Sequence, residues 1–148
     1  MRDLITELRP PVLDDYGLLA GLRWFGEQIH ARTGLQISVL GEEPSPRLEP
    51  KIENALFRIA QEALTNIVKH AHAQRVGLTL LREAGTVTLG IADDGCGFDP
   101  PTLQRPGLRA HWGLEMMGER AEAVGARLRV ESTPGQGTRI VVDVEMAP

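Results

Sequence analysis

Residues 58–73, RIAQEALTNIVKHAHA, constrain the fold more than any other stretch of this sequence. No glycine or proline interrupts them, and apolar residues recur every three or four positions, so the segment is predicted to be a helix. Seven apolar residues fall on one broad arc that would face a core: Ile59, Ala60, Ala63, Leu64, Ile67, Val68 and Ala71.

A polar stripe runs along another face of the same predicted helix. Glu62, Asn66 and Lys69 share this stripe, because residues three, four and seven positions apart lie on one helix face. The carboxylate and the amide oxygen suit a hydrated Mg²⁺ ion, and the ammonium suits a phosphate. A solvated helix face is the alternative interpretation of such a stripe.

The composition is that of one globular domain: 148 residues, of which 42% are hydrophobic and 24% charged. The net charge of −4 argues against nucleic-acid binding. The single cysteine, Cys96, excludes an internal disulfide and a multi-cysteine metal site. We see no signal peptide and no apolar run of the roughly 20 residues that a membrane span needs. We therefore expect a cytoplasmic domain, which leaves room for a membrane-anchored parent protein.

The first half of the chain is predicted to be mainly helical. Residues 1–9 have the pattern of a helix end that stops at Pro10 and Pro11. A second helix, capped by Asp14 or Asp15, would run to residue 33 before Gly34 and bury Leu18, Leu19, Leu22, Phe25 and Ile29. A short strand (36–40) and a proline-containing loop (42–49) precede the central helix, which would open at residue 49 or 50.

The second half is predicted to alternate hairpins with one helix. Residues 83–85 join two strands, whose buried faces would carry Val76, Leu78 and Leu80 on one and Val87, Leu89 and Ile91 on the other. A helix over 113–124 precedes strands at 127–131 and 138–145, which the sequence TPGQG joins. This order favours a two-layer α/β sandwich, with one mixed, mostly antiparallel sheet and helices on one face.

The loop DDGCGFD (93–99) directly follows a predicted strand. Gly95 and Gly97 would let the backbone approach a flat ligand closely, and Asp93 could accept a hydrogen bond from an amine. A plain Asp-Gly turn is the alternative. Residues 100–112 lack any periodicity, and a loop of this length is often a lid over a site.

Positive charge is concentrated in this predicted lid, at Arg105, Arg109 and His111. Together with Lys69 and His70 it could contact a polyphosphate, although a solvated surface loop is an equal alternative. The next helix would offer unpaired N–H groups to an anion at its start. Its sequence GLEMMGER has the glycine spacing of a P-loop, but a glutamate replaces the required lysine, so we reject a P-loop.

The segments EALTNIVKHAHA, DDGCGFD, HWGLEMMGERA and GQGT stand in the order and spacing of four known boxes. They resemble the N, G1, G2 and G3 boxes of the ATP-binding domain of bacterial sensor histidine kinases. That domain has the Bergerat ATPase fold, which gyrase, Hsp90 and MutL share. The resemblance covers about residues 10–145. ELRPPVLDDYGLLAGL also resembles the junction that follows the dimerisation helices in the subfamily pairing with LuxR/NarL-type response regulators.

The resemblance implies a ligand for each matching residue. For Mg²⁺ it implies Asn66, with Glu62 holding a water ligand; these two residues and Lys69 would be the catalytic group. For the ATP phosphates it implies Lys69, His70 and the helix start at Gly113 and Leu114, beside the candidates Arg105, Arg109 and His111 that the positive charge of the predicted lid supplies. For adenine it implies Asp93, Gly95, Gly97, Gly135, Gly137 and Thr138. His111 stands where many relatives have the first glycine of the G2 box.

The resemblance also implies an activity and partners. Residues 12–148 would be an ATP-binding catalytic domain, and residues 1–11 the end of a dimerisation helix and a linker. The γ-phosphate would pass to a histidine on the dimerisation domain and then to an aspartate of a LuxR/NarL-type response regulator. None of the four histidines here precedes an acidic residue, as that acceptor normally does. The chain alone would be monomeric, and its parent protein homodimeric.

Two other classes of function stay open on the sequence. One is a different enzyme of the same fold, either an ATPase or a serine kinase of the anti-sigma-factor type. The other is a degenerate module that binds partners without ATP. A nucleotide titration separates the second class from the kinase.

Overall fold

The computed structural model of this chain describes residues 11–97 and 113–146. The predicted helix end at 1–9 and the predicted lid over 100–112, with Arg105, Arg109 and His111, lie outside these residues. Among the helices in the described part, none has both the length and the apolar character that crossing a membrane requires.

The described residues form the predicted series of helices, hairpin, helix and hairpin. The elements in chain order are α1 (Pro11–Tyr16), α2 (Leu18–Thr33), β1 (Gln36–Gly41), α3 (Pro50–Asn66), a π-helical turn (Ile67–Ala71), β2 (Arg75–Glu83), β3 (Thr86–Asp93), α4 (Leu114–Ala123), β4 (Arg127–Ser132) and β5 (Thr138–Glu145).

The strands form one sheet in the order β1-β2-β3-β5-β4. Only β1 and β2 pair in parallel; the other neighbours are antiparallel. Residues on β2 and β3 alternate as predicted, and the apolar side chains of one face are buried beneath the helices. The predicted two-layer α/β sandwich with a mixed, mostly antiparallel sheet is therefore confirmed.

Aromatic packing joins the two long helices. The rings of Phe25 on α2 and Phe57 on α3 meet edge to face, with centroids 5.9 Å apart, and both residues are fully buried. The predicted apolar face of α2 is buried in full, and six of the seven residues on the predicted arc of the central helix are buried as well. The exception is Val68, whose exposure is 39%.

The prediction for Val68 was wrong because the helix changes character just before it. The α-helix ends at Asn66 and continues as a π-helical turn, in which the hydrogen bonds run from i to i+5. The three-four spacing that defined the arc no longer applies there. The helical backbone also ends at Ala71 rather than at residue 73, and His72 adopts a left-handed conformation with φ of 53°.

The predicted cap of α2 was also wrong. Asp14 lies inside α1, which is a separate short helix. Gly17, with φ of 97°, separates α1 from α2. The N–H groups of Leu18 and Leu19 donate instead to the Glu43 carboxylate, at 3.2 and 2.8 Å. Asp15 likewise lies within α1. A residue 24 positions away thus takes the capping role that a local aspartate was expected to fill.

The predicted turns are confirmed. Ala84 and Gly85 connect β2 to β3, with φ of 50° and 81°, as the mirror-image turns of two-residue hairpins require. Gly34 ends α2 in a left-handed conformation and donates its N–H to the carbonyl of His30 at 2.8 Å. Gly113 precedes α4, which ends before Gly125.

Candidate functional site

The predicted polar stripe lies at the C-terminal end of α3. Asn66, the last residue of the α-helical part, is only 7% exposed, and Glu62 one turn earlier is half-buried. Lys69 and His70 follow in the π-helical turn, where Lys69 is exposed and His70 half-buried. π-helical turns occur frequently at functional sites. The amide and the carboxylate are thus held in the fold, whereas the ammonium reaches solvent.

The start of α4 lies directly beside this stripe. Gly113 has a φ of 68°, and a Cβ atom added to it would collide with the Glu62 carboxylate. The backbone conformation favours glycine here, and the contact shows that the Glu62 carboxylate lies directly against the start of α4. Leu114, the first residue of α4, is 4% exposed, so its side chain belongs to the core. Two segments about 50 positions apart, both predicted to belong to the site, meet at this point.

Asp93 is the last residue of β3, the central strand of the sheet. Its carboxylate is half-buried and accepts the Gly95 N–H at 2.8 Å. Burial raises the pKa of Asp93, and hydrogen bonds from the N–H groups of Gly95 and Thr138 partly oppose that shift. Desolvation of the charged form thus outweighs the local donors. A carboxylate in that condition is suited to accept a hydrogen bond from a ligand.

Thr138 faces Asp93 across the sheet, because the two residues pair in the ladder between β3 and β5. Its hydroxyl is 2.8 Å from the hydroxyl of Ser132 on β4, and the Ser132 hydroxyl donates to the Gly137 carbonyl at 3.1 Å. A cavity of about 230 Å³ opens here, lined by these residues and the turn between β4 and β5. The sequence missed Ser132, since only the pairing of β4 with β5 brings it to Thr138.

Cys96 joins the loop after β3 to the end of the π-helical turn and to the turn between β4 and β5. The Cys96 N–H donates to the Ala71 carbonyl at 2.7 Å, and the Cys96 carbonyl accepts the Gly135 N–H at 2.6 Å. This peptide therefore links the end of the central helix to the turn between β4 and β5. Ala71 was not predicted to have any role beyond the core.

Close backbone contacts account for the glycines in and around this loop. A Cβ atom at Gly95 would collide with the Ala71 carbonyl, one at Gly97 with the Thr133 carbonyl, and one at Gly137 with the Asp93 carbonyl. Gly135 differs, since nothing lies within 4 Å of such an atom and only its φ of 81° favours glycine. From the sequence we expected Gly95 and Gly97 to make room for a ligand. The close backbone contacts alone are a sufficient reason for glycine at both positions.

Asp94 has the opposite environment to Asp93. It is exposed, and one carboxylate oxygen accepts the N–H groups of Gln74 and Arg75 at 2.8 and 3.0 Å. Those two hydrogen bonds lower the pKa of Asp94. The residue fastens the loop to the start of β2, a structural role that the sequence did not indicate.

The donor set fits Mg²⁺ only when a ligand completes it. Within residues 11–97 and 113–146, no three His, Cys, Asp or Glu side chains form a metal-binding group. The buried Asn66 amide and the neighbouring Glu62 carboxylate supply two oxygen donors. Mg²⁺ typically takes one or two protein oxygens together with waters and substrate phosphates. The pair therefore fits an ion that arrives with a nucleotide.

A larger cavity, of about 470 Å³, lies away from these residues. It opens between the end of α2, the π-helical turn and the start of β2, and its lining includes Val68, His72 and Arg75. None of the described residues that were predicted for the site lines it. Volume does not select the site, because a cavity of about 530 Å³ between α4 and β4 is larger still. The convergent polar groups are around Asn66 and Asp93, and chemistry depends on those groups.

Residues 51–148 match the family of histidine kinase-, DNA gyrase B-, and HSP90-like ATPases. The chain belongs to this family. It is 37% identical over 148 residues to an uncharacterized sensor-like histidine kinase of Chloroflexus aurantiacus, and 33% identical over 142 residues to the signal transduction histidine-protein kinase/phosphatase DegS of Bacillus subtilis. These matches cover 97% and 94% of this chain, but only 25% and 37% of the two relatives.

Solved structures of histidine kinases have the same fold. The catalytic domain of histidine kinase ThkA superposes with a TM-score of 0.70 at 11% identity, covering 90% of this chain and 91% of that one. The histidine kinase domain of the blue-light activated kinase from Erythrobacter litoralis gives 0.69 at 22% identity, covering 87% and 61%. Full-length ShkA in complex with AMPPNP gives 0.67 at 25% identity, covering 86% and 30%.

Together these matches define the domain type. Over nearly its whole length the chain is similar to the catalytic, ATP-binding domains of sensor histidine kinases, and the resemblance that four short segments predicted is confirmed. The named relatives do not favour the ATPase, the serine kinase or the degenerate module. The roles of individual residues remain predictions, since neither the fold nor the family assigns them.

Proposed function

We propose that this domain binds Mg·ATP between the end of α3, the loop after β3 and the start of α4, and delivers the γ-phosphate to a histidine. The acceptor would lie on a dimerisation domain to which residues 1–11 connect, and residues 12–148 would be the catalytic domain. The contact between Gly113 and the Glu62 carboxylate, together with the pairing of Asp93 with Thr138, is the observation that carries this proposal.

Each end of the cleft would take one end of the nucleotide. Asp93 would accept a hydrogen bond from the exocyclic amine of adenine, with Thr138, Gly135 and Gly137 closing that side. Gly95 and Gly97 would leave room for the base. The half-buried carboxylate with its raised pKa supports this role, because a ligand amine would compensate the desolvation that the charge suffers.

The other end would take the triphosphate. Asn66 and Glu62 would present oxygens to the metal ion or its waters, and Lys69 and His70 would face the phosphates. Gly113 and Leu114 would offer the N–H groups of the helix start. Arg105, Arg109 and His111, outside the described residues, would add positive charge. Mg²⁺, when bound, would neutralise charge on the β- and γ-phosphates.

Transfer would depend mainly on positioning. A neutral imidazole nitrogen of the acceptor would bond to the γ-phosphorus while the bond to the β,γ-bridging oxygen breaks and ADP leaves. Histidine has a pKa near about 6.5, so much of it is already uncharged at neutral pH. The Glu62 carboxylate therefore need not act as a strong base, and catalysis would rest on in-line geometry and charge neutralisation.

The wider assembly follows from the same proposal. The phosphate would pass to an aspartate of a LuxR/NarL-type response regulator, and the parent protein would be a cytoplasmic or membrane-anchored homodimer. The 33% identity with DegS, a signal transduction histidine-protein kinase/phosphatase, supports a place in phosphorelay signalling.

Autophosphorylation of a parent protein that contains this chain tests the proposal. Asn66→Ala should abolish Mg·ATP-dependent phosphate transfer, because it removes the metal-facing oxygen. Glu62→Gln should retain part of it, because the amide keeps an oxygen and no strong base is needed. Full activity in Asn66→Ala, or phosphate found on serine or released to water, would reject the assignment.

A further inference from the structure

Two charged residues in the loop between β1 and α3 hold the ends of three helices. Glu43 accepts the first N–H groups of α2, as described above. Arg47, four residues later, contacts the other two helices. Helix ends leave N–H and C=O groups without intrahelical partners, and these side chains satisfy several of them. The loop therefore does more than connect two elements.

The Arg47 guanidinium lies between the end of α1 and the start of α3. Its Nη2 donates to the carbonyl oxygens of Leu13 and Asp14, both at 2.8 Å. Its Nε and Nη2 also pair with the two carboxylate oxygens of Glu53, at 2.8 and 2.9 Å. Glu53 lies in the first turn of α3 and is only 3% exposed. We call Arg47, Glu53 and the two carbonyls the Arg47 clamp.

The clamp has a fixed geometry. A guanidinium and a carboxylate that share two parallel hydrogen bonds are held in one plane, which a lysine could not reproduce. The carbonyl end of a helix also attracts a cation. Leu13 is 1% exposed and packs against α2 near Gly21, so α1 has little freedom to slide. Any displacement of α1 therefore acts on the first turn of α3.

The far end of α3 carries the proposed metal-facing residues. The helix runs without interruption from Pro50 to Asn66, so its first turn and Asn66 move as one body. On the proposed function, residues 1–11 connect α1 to the dimerisation helix that carries the acceptor. The clamp links α1 directly to the helix that carries those residues, so on the proposed function it would join the acceptor side of the molecule to the nucleotide side.

We propose that Arg47 is a positioning residue that couples the orientation of the upstream dimerisation helix to the nucleotide-binding helix α3. This inference rests on the proposed function and adds to it a regulatory connection. The clamp would hold the domain in the orientation from which the γ-phosphate reaches the acceptor histidine. It contributes no group to the nucleotide itself, so its loss should affect transfer and leave nucleotide binding unchanged.

The test combines two measurements on the double variant Arg47→Met/Glu53→Gln. This change removes the clamp without leaving a buried carboxylate unpaired. Calorimetric titration of the 148-residue chain with Mg·ATP should give the affinity of the unmodified chain. Phosphate transfer in the parent protein should slow by at least about tenfold, since misplacing reacting groups by about 1 Å can cost up to 100-fold.

Two further variants make the result specific. Lys51→Met removes a positive charge from the first turn of α3, at an exposed position outside the clamp, and should transfer phosphate normally. Arg47→Lys keeps the charge but loses the planar pair, so it should fold and still transfer slowly. If Arg47→Lys and the double variant transfer at the rate of the unmodified protein, the coupling is wrong.

The remaining outcomes are also decisive. Equal losses of nucleotide affinity and transfer in both Arg47 variants would reduce the clamp to a purely structural contact and overturn the inference. An unmodified chain that does not bind Mg·ATP would instead reject the proposed function, and the coupling with it. Retained affinity with slowed transfer in both variants, but not in Lys51→Met, is the result we expect.

Discussion

Two adjacent carboxylates, Asp93 and Asp94, have opposite environments. Asp93 is half-buried and its pKa is raised by burial; Asp94 is exposed and its pKa is lowered by the N–H groups of Arg75 and Gln74. Asp94 stabilises the fold by fastening the loop to β2. Asp93 holds a partly desolvated charge that two local donors do not fully compensate. A partly buried carboxylate whose desolvation is not fully offset by protein donors is a better candidate for ligand binding than one already held by backbone N–H groups.

The largest expected effect of this difference is on nucleotide affinity. Asp93→Asn keeps an acceptor for the Gly95 N–H but removes the charge from the proposed hydrogen bond to adenine. We expect the affinity for ATP to fall by about 10- to 100-fold, because a hydrogen bond to a charged group contributes about 1.5–3 kcal/mol. Titration calorimetry measures the change. Asp94→Ala is the matched control, and a comparable loss of affinity there would remove the distinction between the two residues.

The second effect concerns Gly95 and tests whether backbone packing or ligand binding requires a glycine there. Gly95→Ala should destabilise the nucleotide-free domain by about 1–3 kcal/mol, since its Cβ would collide with the Ala71 carbonyl. Gly118→Ala on α4 meets nothing within 4 Å and should stabilise by about 0.5–1 kcal/mol. Urea unfolding of both variants measures the two changes. Unchanged stability in Gly95→Ala would mean that this glycine serves the ligand alone.

The third effect is the reverse of the first. Asp94→Ala should lower the thermal unfolding midpoint of the nucleotide-free domain, because the Gln74 and Arg75 N–H groups lose their acceptor. Asp93→Asn should leave the midpoint unchanged or raise it, because it removes a desolvated charge. Differential scanning calorimetry compares the two variants. A lower midpoint for Asp93→Asn than for Asp94→Ala would contradict the assignment of structural and ligand-binding roles.

The smallest effect is a difference in pH dependence. Asp94 has a lowered pKa, so its stabilisation is present above the ordinary value of 3.8 and is lost as the pH falls through the folded pKa. Asp93 has a raised pKa, so its contribution is most favourable below 3.8 and declines as the pH rises through the folded pKa. Unfolding free energies, measured in urea from about pH 7 to about pH 2.5 so that both sides of the ordinary carboxyl pKa are covered, should therefore separate from the unmodified chain with opposite slopes for Asp94→Ala and Asp93→Asn. Parallel slopes would contradict the two shifts.

Periodicity and turn chemistry predicted most of the fold. The uninterrupted apolar arc gave the central helix, and alternation gave the strands, because both signals are local. The predictions failed where a distant residue intervened or where the helix changed type. Glu43 displaced Asp14 and Asp15 as the cap of α2, and the π-helical turn put Val68 in solvent. Neither the change to a π-helix nor a cap from 24 positions away can be read from residue spacing.

The candidate site could be predicted in its parts but not in its assembly. Short motifs indicated Asn66, Asp93 and Thr138, but only the sheet order sets Asp93 opposite Thr138. Gly95 was attributed to a ligand because the contact with Ala71 depends on how the helix end meets the loop. Asp94 and Arg47 were missed for the same reason: their partners are brought near by the fold.

The central claim is that Asp93 recognises the amine of adenine, and one competition measurement tests it most directly. The affinities of the unmodified chain for ATP and for inosine triphosphate, which carries an oxygen in place of that amine, should differ clearly in favour of ATP. In Asp93→Asn the preference should shrink or reverse, because an amide can donate to the oxygen as well as accept from the amine. Equal affinities for the two nucleotides in the unmodified chain would contradict the account.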